Sequence, residues 1–252
     1  MKNRKEEKLT DFGYEQIPLS EKVHRVKSVF SSVAEKYDLM NDMMSLGIHR
    51  LWKRFALSLA EIRPKQKILD VAAGTGDISL LISKALNHSG QLVVSDINES
   101  MLEIGRSKLI DNGFIHNIEF VQADAENLPF EENCFDTVFI AFGLRNVSQK
   151  ENALKSFFRV LKPGGRLIIL EFSKPLIPLV SKIYDQYSFK ILPWLGKIIA
   201  QDEASYRYLA ESIRKHPDQQ LLKSMMESEG FEGCEVFNLS SGIVAVHRGY
   251  KY

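Results

Sequence analysis

Residues 68–76 read Ile-Leu-Asp-Val-Ala-Ala-Gly-Thr-Gly, an apolar run that ends in an acid and a glycine turn. In an α/β sheet, such a turn hands a strand over to a helix beside an adenosine-bearing ligand. Gly74 and Gly76, with Thr75 between them, permit a tight turn and a close approach of backbone to ligand. From Asp77 onward, Ile78, Leu81, Ile82 and Ala85 keep a helical period. The next apolar stretch, 91–95, delivers Asp96 about twenty residues beyond Gly76, where an acid grips the two ribose hydroxyls of a nucleotide. A third, Val121-Gln122-Ala123-Asp124-Ala125, leads into a loop through Pro129. There Asp124, with Ala125 beside it, either accepts adenine amino hydrogens or caps an ordinary turn. Ligands of parallel sheets bind at the carboxyl ends of strands, so Asp70, Asp96 and Asp124 are expected to converge on one crevice.

Dinucleotide enzymes and S-adenosylmethionine (SAM) methyltransferases share that geometry. A dinucleotide fingerprint asks for a third small residue that brings helix onto strand over a pyrophosphate, and here Ser79 stands in place of glycine. Asp70 would repel a pyrophosphate but suits the ammonium and sulfonium side of SAM. Both details favour SAM as the cofactor. In a Gly-x-Gly-x-Gly loop of the methyltransferase kind the first position is Ala72, small enough to replace glycine.

Longer runs carry a more specific likeness. They are Tyr37-Asp38-Leu39-Met40-Asn41-Asp42-Met43-Met44-Ser45-Leu46-Gly47-Ile48-His49-Arg50-Leu51-Trp52-Lys53, then Phe142-Gly143-Leu144-Arg145-Asn146-Val147, Arg159-Val160-Leu161-Lys162-Pro163-Gly164-Gly165-Arg166 ending at Glu171-Phe172-Ser173, and Val246-His247-Arg248-Gly249-Tyr250. Together they resemble the C-methyltransferases of ubiquinone and menaquinone biosynthesis, over nearly the whole chain beyond residue 10. Ala141 departs from the serine that some members place near the cofactor. The resemblance implies a Rossmann-like, class I SAM-dependent methyltransferase fold. It also implies methyl transfer to a ring carbon of a prenylated hydroquinone, either a demethylmenaquinol or a 2-methoxy-6-polyprenyl-1,4-benzoquinol. Another small-molecule SAM methyltransferase, or a non-catalytic SAM-binding scaffold subunit, are the competing readings.

The reaction needs no nucleophilic side chain, because the ring is electron-rich and losing a hydroxyl proton pushes charge onto its carbons. The enzyme has to align that carbon with the methyl group and stabilise a phenolate. Arg145, directly after the fourth strand, suits the electrostatic role, and Asn146 can orient the same oxygen. The plainer alternative pairs Arg145 with Glu171. Tyr37, Asn41 and His49 mix hydrogen-bonding groups with rings near the expected crevice, although an isolated histidine is more often structural.

Composition bounds the rest. The 252 residues are 44% hydrophobic, enough for one sizeable core, and no linker divides them. Thirty-three basic against 32 acidic residues leave no charge excess for nucleic acid. Cys134 and Cys234 lack paired spacing and the six histidines form no ligand motif, so inert thiols and no metal are expected. Residues 1–8 alternate charges, unlike a signal peptide, and no apolar run is long enough to span a bilayer, which points to the cytoplasm.

Strand and helix patterns alternate as in an α/β, mostly parallel, doubly wound sheet. One domain is expected over 1–252. It comprises a disordered tail over 1–20, a helical preface and lid over 21–62, a cofactor-binding core over 63–173, a substrate-side helical lid insertion over 174–214, and a closing helix and hairpin over 215–252. In the preface Val23, Val26, Phe30, Val33 and Tyr37 share one face, and Leu51, Phe55 and Leu59 another. The fifth strand begins at Arg166 after a turn at Lys162-Pro163-Gly164-Gly165. Asp218 is placed to cap a helix that stops at Gly230. In the insertion Val180, Tyr184, Tyr187 and Ile191 share a face, which suits a groove for a prenyl tail and weak peripheral contact with the inner face of the cytoplasmic membrane. An apolar surface there would equally suit a second copy of the chain or a quinone-biosynthesis complex.

Overall fold

A computed structural model describes residues 8–34, 41–42, 45–187 and 203–252. A seven-stranded sheet runs in the order β5-β4-β3-β6-β7-β9-β8. Its strands are β3 (Lys67–Val71), β4 (Gln91–Asp96), β5 (Ile118–Gln122), β6 (Phe135–Ala141), β7 (Leu161–Phe172), β8 (Glu232–Leu239) and β9 (Val244–Tyr250). Pairings among β5, β4, β3, β6 and β7 are parallel, while β9 joins β7 and β8 antiparallel. Order reverses between β4 and β6 on either side of β3, so a crevice opens beyond the carboxyl ends of these strands.

Side-chain alternation builds a core on each face of the sheet. Ile68, Val94, Phe139, Ile168 and Leu170 point to one, and Leu69, Val93, Val138, Ile140, Leu167 and Ile169 to the other. The first face is covered by α2 (His49–Ala60), α3 (Asp77–Leu86) and α7 (Glu203–Lys215), the second by α5 (Lys150–Val160) and α8 (Gln219–Ser228). The helix α4 (Glu99–Asp111) follows β4, and α6 (Pro178–Gln186) opens the insertion. Asp218 caps α8 by accepting from the Leu221 amide at 3.0 Å. Among the described residues no helix is long and apolar enough to cross a membrane.

Three expectations are corrected. Within the stretch expected as a tail, β1 (Leu9–Phe12) and β2 (Glu15–Pro18) form an antiparallel hairpin that leads directly into α1 (Leu19–Val33). It is pinned by Phe12 stacked on Tyr208 with ring centroids 4.2 Å apart, and by the Tyr14 amide donating to Glu211 Oε2 at 3.1 Å. In α2 the buried stripe is His49, Trp52, Lys53, Ala56 and Ala60, not Leu51, Phe55 and Leu59. Alanines at 56 and 60 let the helix approach the sheet closely, which turns Leu51 outward at 62% exposure. Finally, β7 starts at Leu161 rather than Arg166. Its partner β6 advances only from Phe135 to Thr137 while β7 advances from Leu161 to Arg166, so the Pro-Gly-Gly turn is an excursion within the strand.

Candidate active site

The loops after β3, β4, β5 and β6, roofed by one face of α1, enclose an open cleft of about 760 Å³. Its floor includes Ala72 and Gly74 after β3, Asp96 and Asn98 after β4, Asp124 and Ala125 after β5, and Phe142, Gly143 and Asn146 after β6. Of the expected cofactor residues, Gly74, Asp96, Asp124 and Ala125 therefore share one space. The backbone explains how the turn stays tight. Gly76 is left-handed at φ 79°, and a Cβ there would stand 3.1 Å from the Cα of Gly105 in α4.

Asp96 is buried, with Oδ2 accepting from the Gly74 amide and Oδ1 from the Asn98 amide, each at 2.8 Å. Burial raises its pKa, and the backbone donors at Asn98, Gly74 and Ile97 oppose the rise. Each oxygen still has a second lone pair. Asn98 caps α4 and also donates through Nδ2 to the Lys27 carbonyl at 3.1 Å and Ser31 Oγ at 3.0 Å, which fastens α1 over the cleft. Asp124 Oδ1 accepts from the Glu126 amide at 2.9 Å. It thus caps its turn and faces the cleft at once.

Asp70, Thr75, Gly76 and Ala141 do not line the cleft; they lie beneath or beside it. Asp70 accepts from Ser79 Oγ at 2.5 Å through Oδ2, and its Oδ1 is buried as well. Burial pushes the Asp70 carboxyl up to about 7, against the Ser79 bond. Beside it, burial favours a neutral Asp77, but Lys53 at 2.6 Å and Lys108 at 2.8 Å hold that carboxyl well below the usual carboxylate range. Phe142 and Gly143 occupy the cleft wall where Ala141 was expected.

A second, polar cavity lies past Ser148, which both spaces share; it opens to solvent, and its empty space including the mouth is about 410 Å³. Lys22, Arg145, Lys150, Tyr208, Ser212 and Lys215 line it, together with Thr10 and Asp11 of the hairpin. Tyr208 donates its hydroxyl to Asn146 Oδ1 at 3.1 Å, so Asn146 bridges cleft and cavity. Burial pushes the Tyr208 phenol up, which keeps it protonated as a donor. Arg145 sits between the two expectations made for it. Arg145 lines this cavity, yet its Nη1 pairs with Glu171 Oε1 at 2.9 Å and donates to the Phe142 carbonyl, while the Arg145 amide donates to Glu171 Oε2 at 3.1 Å. The ion pair is the plainer alternative realised, and it balances the guanidinium charge.

Among the described residues, none of those expected on the substrate side lines the cleft or the polar cavity. Tyr37 lies outside the described residues, as do residues 188–202 with Ile191. Asn41 is buried and its carbonyl accepts from Ser45 Oγ at 2.7 Å. The buried His49 ring donates to Asp42 Oδ1 at 2.8 Å, and burial followed by Lys53 lowers its pKa. Tyr184 is buried under the Arg214 guanidinium at 5.8 Å, and Tyr187 packs on the core. Instead, exposed apolar side chains gather at the starts of α2 and α6, with Leu46 at 75% and Leu179 at 67% exposure. The turn at 240–242 connects the two, for Trp52 donates to Ser240 Oγ at 2.9 Å and the Leu176 amide to the Ser241 carbonyl at 2.8 Å.

No group of three or more His, Cys, Asp or Glu side chains among the described residues is disposed to hold a metal ion. Burial raises the pKa of both free thiols, that of Cys234 to about 11. The sequence reading expected a lid over 21–62 without saying which face of it would meet the cleft, and it did not single out Lys22. Val23, Val26 and Phe30 were legible as an apolar face, but nothing in their spacing says that the face closes a cleft.

A family model described as the ubiE/COQ5 methyltransferase family matches residues 19–251. The ubiquinone/menaquinone biosynthesis C-methyltransferase UbiE of Francisella tularensis subsp. novicida is 59% identical over 248 residues, 98% of this chain and 99% of the relative. That of Psychromonas ingrahamii is 58% identical over 246 residues, 98% of each chain. Among solved structures, a SAM-dependent methyltransferase from Aquifex aeolicus superposes with a TM-score of 0.59 at 18% identity, covering 79% of this chain and 89% of that one. One from Thermotoga maritima, described as a possible histamine N-methyltransferase, gives 0.64 at 19% identity, covering 89% and 99%. At these identities the structures speak to the fold, a Rossmann-like class I methyltransferase sheet.

Proposed function

The chain belongs to the ubiE/COQ5 methyltransferase family, and we propose that its open cleft holds the SAM of its reaction while the polar cavity beside it receives a prenylated quinol ring. It is a SAM-dependent C-methyltransferase of ubiquinone and menaquinone biosynthesis. The observation that carries the cofactor assignment is Asp96, an acid at the end of β4 whose two oxygens are already oriented by backbone amides at the cleft floor. Two ribose hydroxyls would add to its remaining lone pairs, the adenine amino group would reach Asp124, and Gly74, Thr75 and Gly76 would shape the loop around the amino-acid tail.

SAM supplies an electrophilic methyl group on a sulfonium. Asp70 would serve it from beneath the loop, by charge rather than contact. A cation nearby favours the ionised carboxylate, so binding should lower a pKa that burial has raised to about 7. SAM affinity is therefore expected to rise as pH increases through about 7, with roughly half a proton released per SAM bound at pH 7. Calorimetry in buffers of different ionisation enthalpy measures that release, and Asp70→Asn should abolish it. The free protein has the opposite sign. Asp70 is protonated more readily folded than unfolded, so its contribution to stability is fully present below about 4 and is lost as pH rises through about 7.

With the ring in the polar cavity, Asn146 and Arg145 would hydrogen-bond to the oxygen beside the reacting carbon, and the α1 roof would exclude water. Alignment of this kind supplies up to roughly 7–11 kcal/mol of barrier reduction. For the prenyl tail and a weak contact with the membrane's inner face, the supporting observation is now the exposed apolar rim, with Leu46 and Leu51 on one side and Leu176 and Leu179 on the other. Each buried methylene of the tail contributes about 0.8 kcal/mol. Leu176→Asp with Leu179→Asp is expected to raise KM for a long-tailed quinol at least about tenfold, and to leave a tail-less analogue unaffected. Equal losses on both substrates would remove the rim from tail binding.

A further inference from the structure

The polar cavity holds two lysines whose surrounding acids, Asp11 and Glu126 for both and Glu171 besides for Lys150, act from beyond ion-pair distance. Lys22 enters from α1 at 3% exposure, and its ammonium donates to the Val147 carbonyl at 3.4 Å. Lys150 reaches the same carbonyl at 3.2 Å from α5. The other two cations of the wall have acids, Arg145 on Glu171 at 2.9 Å and Lys215 on Asp11 at 3.4 Å. Neither Lys22 nor Lys150 forms an ion pair among the described residues. Two ammonium groups that crowd one half-buried carbonyl oxygen make a costly arrangement, and an anion in the cavity would relieve it.

Resting on the placement of the quinol ring in this cavity, we propose that Lys22 takes the hydroxyl proton of the quinol and then holds the phenolate, with Lys150 as the second cation. The neutral amine of Lys22 accepts the proton, and the O–H electron pair spreads onto the neighbouring ring carbon. That carbon attacks the methyl group of SAM, and the pair of the breaking S–C bond stays on sulfur as an uncharged thioether. The C–H proton of the methylated carbon then leaves to water, which restores the aromatic ring, and Lys22 returns its proton to the ring oxygen. One proton is released in total.

The surroundings suit a lysine that must exist in both forms. Burial, followed by Lys150, lowers its pKa to about 8, while Asp11 of β1 and Glu126 of the loop after β5 pull the other way. Arg145 from its turn, and Tyr208 and Lys215 from α7, complete the groups that face the cavity. Arg145 cannot take this role, because a guanidinium is not deprotonated in proteins.

The test is the single-turnover rate of the full-length enzyme with SAM and a short-tailed quinol between about pH 6 and 9.5. In the native protein the rate should rise as Lys22 loses its proton through about pH 8 and then level off. Lys22→Met should lower the plateau at least about tenfold and remove the rising limb, with SAM affinity unchanged. Lys22→Arg, which keeps the charge but cannot accept a proton, should keep KM for the quinol and lose the limb. If either variant keeps the limb and a rate near native, Lys22 is not the proton acceptor. Thr10→Phe, which narrows the cavity from β1, tests the underlying placement separately. A raised KM for Thr10→Phe together with a native rate and rising limb in Lys22→Met would leave the ring in the cavity and overturn only the role of Lys22. An unchanged KM for Thr10→Phe would overturn the placement, and the lysine assignment with it.

Discussion

Asp96→Ala is expected to weaken SAM binding roughly 10²- to 10⁴-fold, because two hydrogen bonds to a charged acceptor contribute about 1.5–3 kcal/mol each. The side chain is fixed before the ligand arrives. With Gly74 and Asn98 donating to opposite oxygens at 2.8 Å, the carboxylate needs no reorganisation to meet a diol. Alanine would remove the acceptor and also strand both amides, so the loop after β3 and the cap of α4 should loosen together. Asp96→Asn should fall between the two proteins, since its amide nitrogen must oppose one of those donors. Calorimetric titration with SAM measures the loss, and native affinity in Asp96→Ala would refute the ribose role.

Much of this site was legible because it depends on local pattern. A strand that ends in Asp-Val-Ala-Ala-Gly-Thr-Gly, and acids after the next two strands, fix a position along the sheet whatever else the chain does. The pattern fails where tertiary packing decides. The spacing of Leu51, Phe55 and Leu59 is as helical as that of Trp52, Ala56 and Ala60, and only the approach of α2 to β7 selects the second set. The hairpin over residues 9–18 was invisible because its strands are four residues each and half of their side chains, Thr10, Asp11, Glu15 and Gln16, are polar. Its pairing is sustained by Tyr208 and Glu211, almost two hundred residues later. Lys22 escaped for the same reason, since a lysine in an amphipathic helix reads as solvated until a second lysine is found on the same carbonyl.

Arg145→Ala is expected to cost stability and turnover together, and the two can be separated. Glu171 is 1% exposed, so losing its partner leaves an uncompensated buried carboxylate at a cost of about 3–5 kcal/mol. For a chain of this length that corresponds to a drop in Tm of roughly 6–20 °C. Turnover should fall by roughly 10²-fold if the guanidinium also meets the ring oxygen, the size of effect seen when an oxyanion donor is removed. SAM affinity, measured well below the lowered Tm, should stay near native because the ion pair lies outside the cleft. A double variant, Arg145→Met with Glu171→Met, tells the roles apart. An apolar pair of similar volume removes the unpaired charge and should return most of the lost stability. If turnover stays low in this stable protein, Arg145 acts on the substrate; if turnover returns with stability, the guanidinium only fastens the loop between β6 and α5, and the electrostatic work falls to the lysines of the cavity.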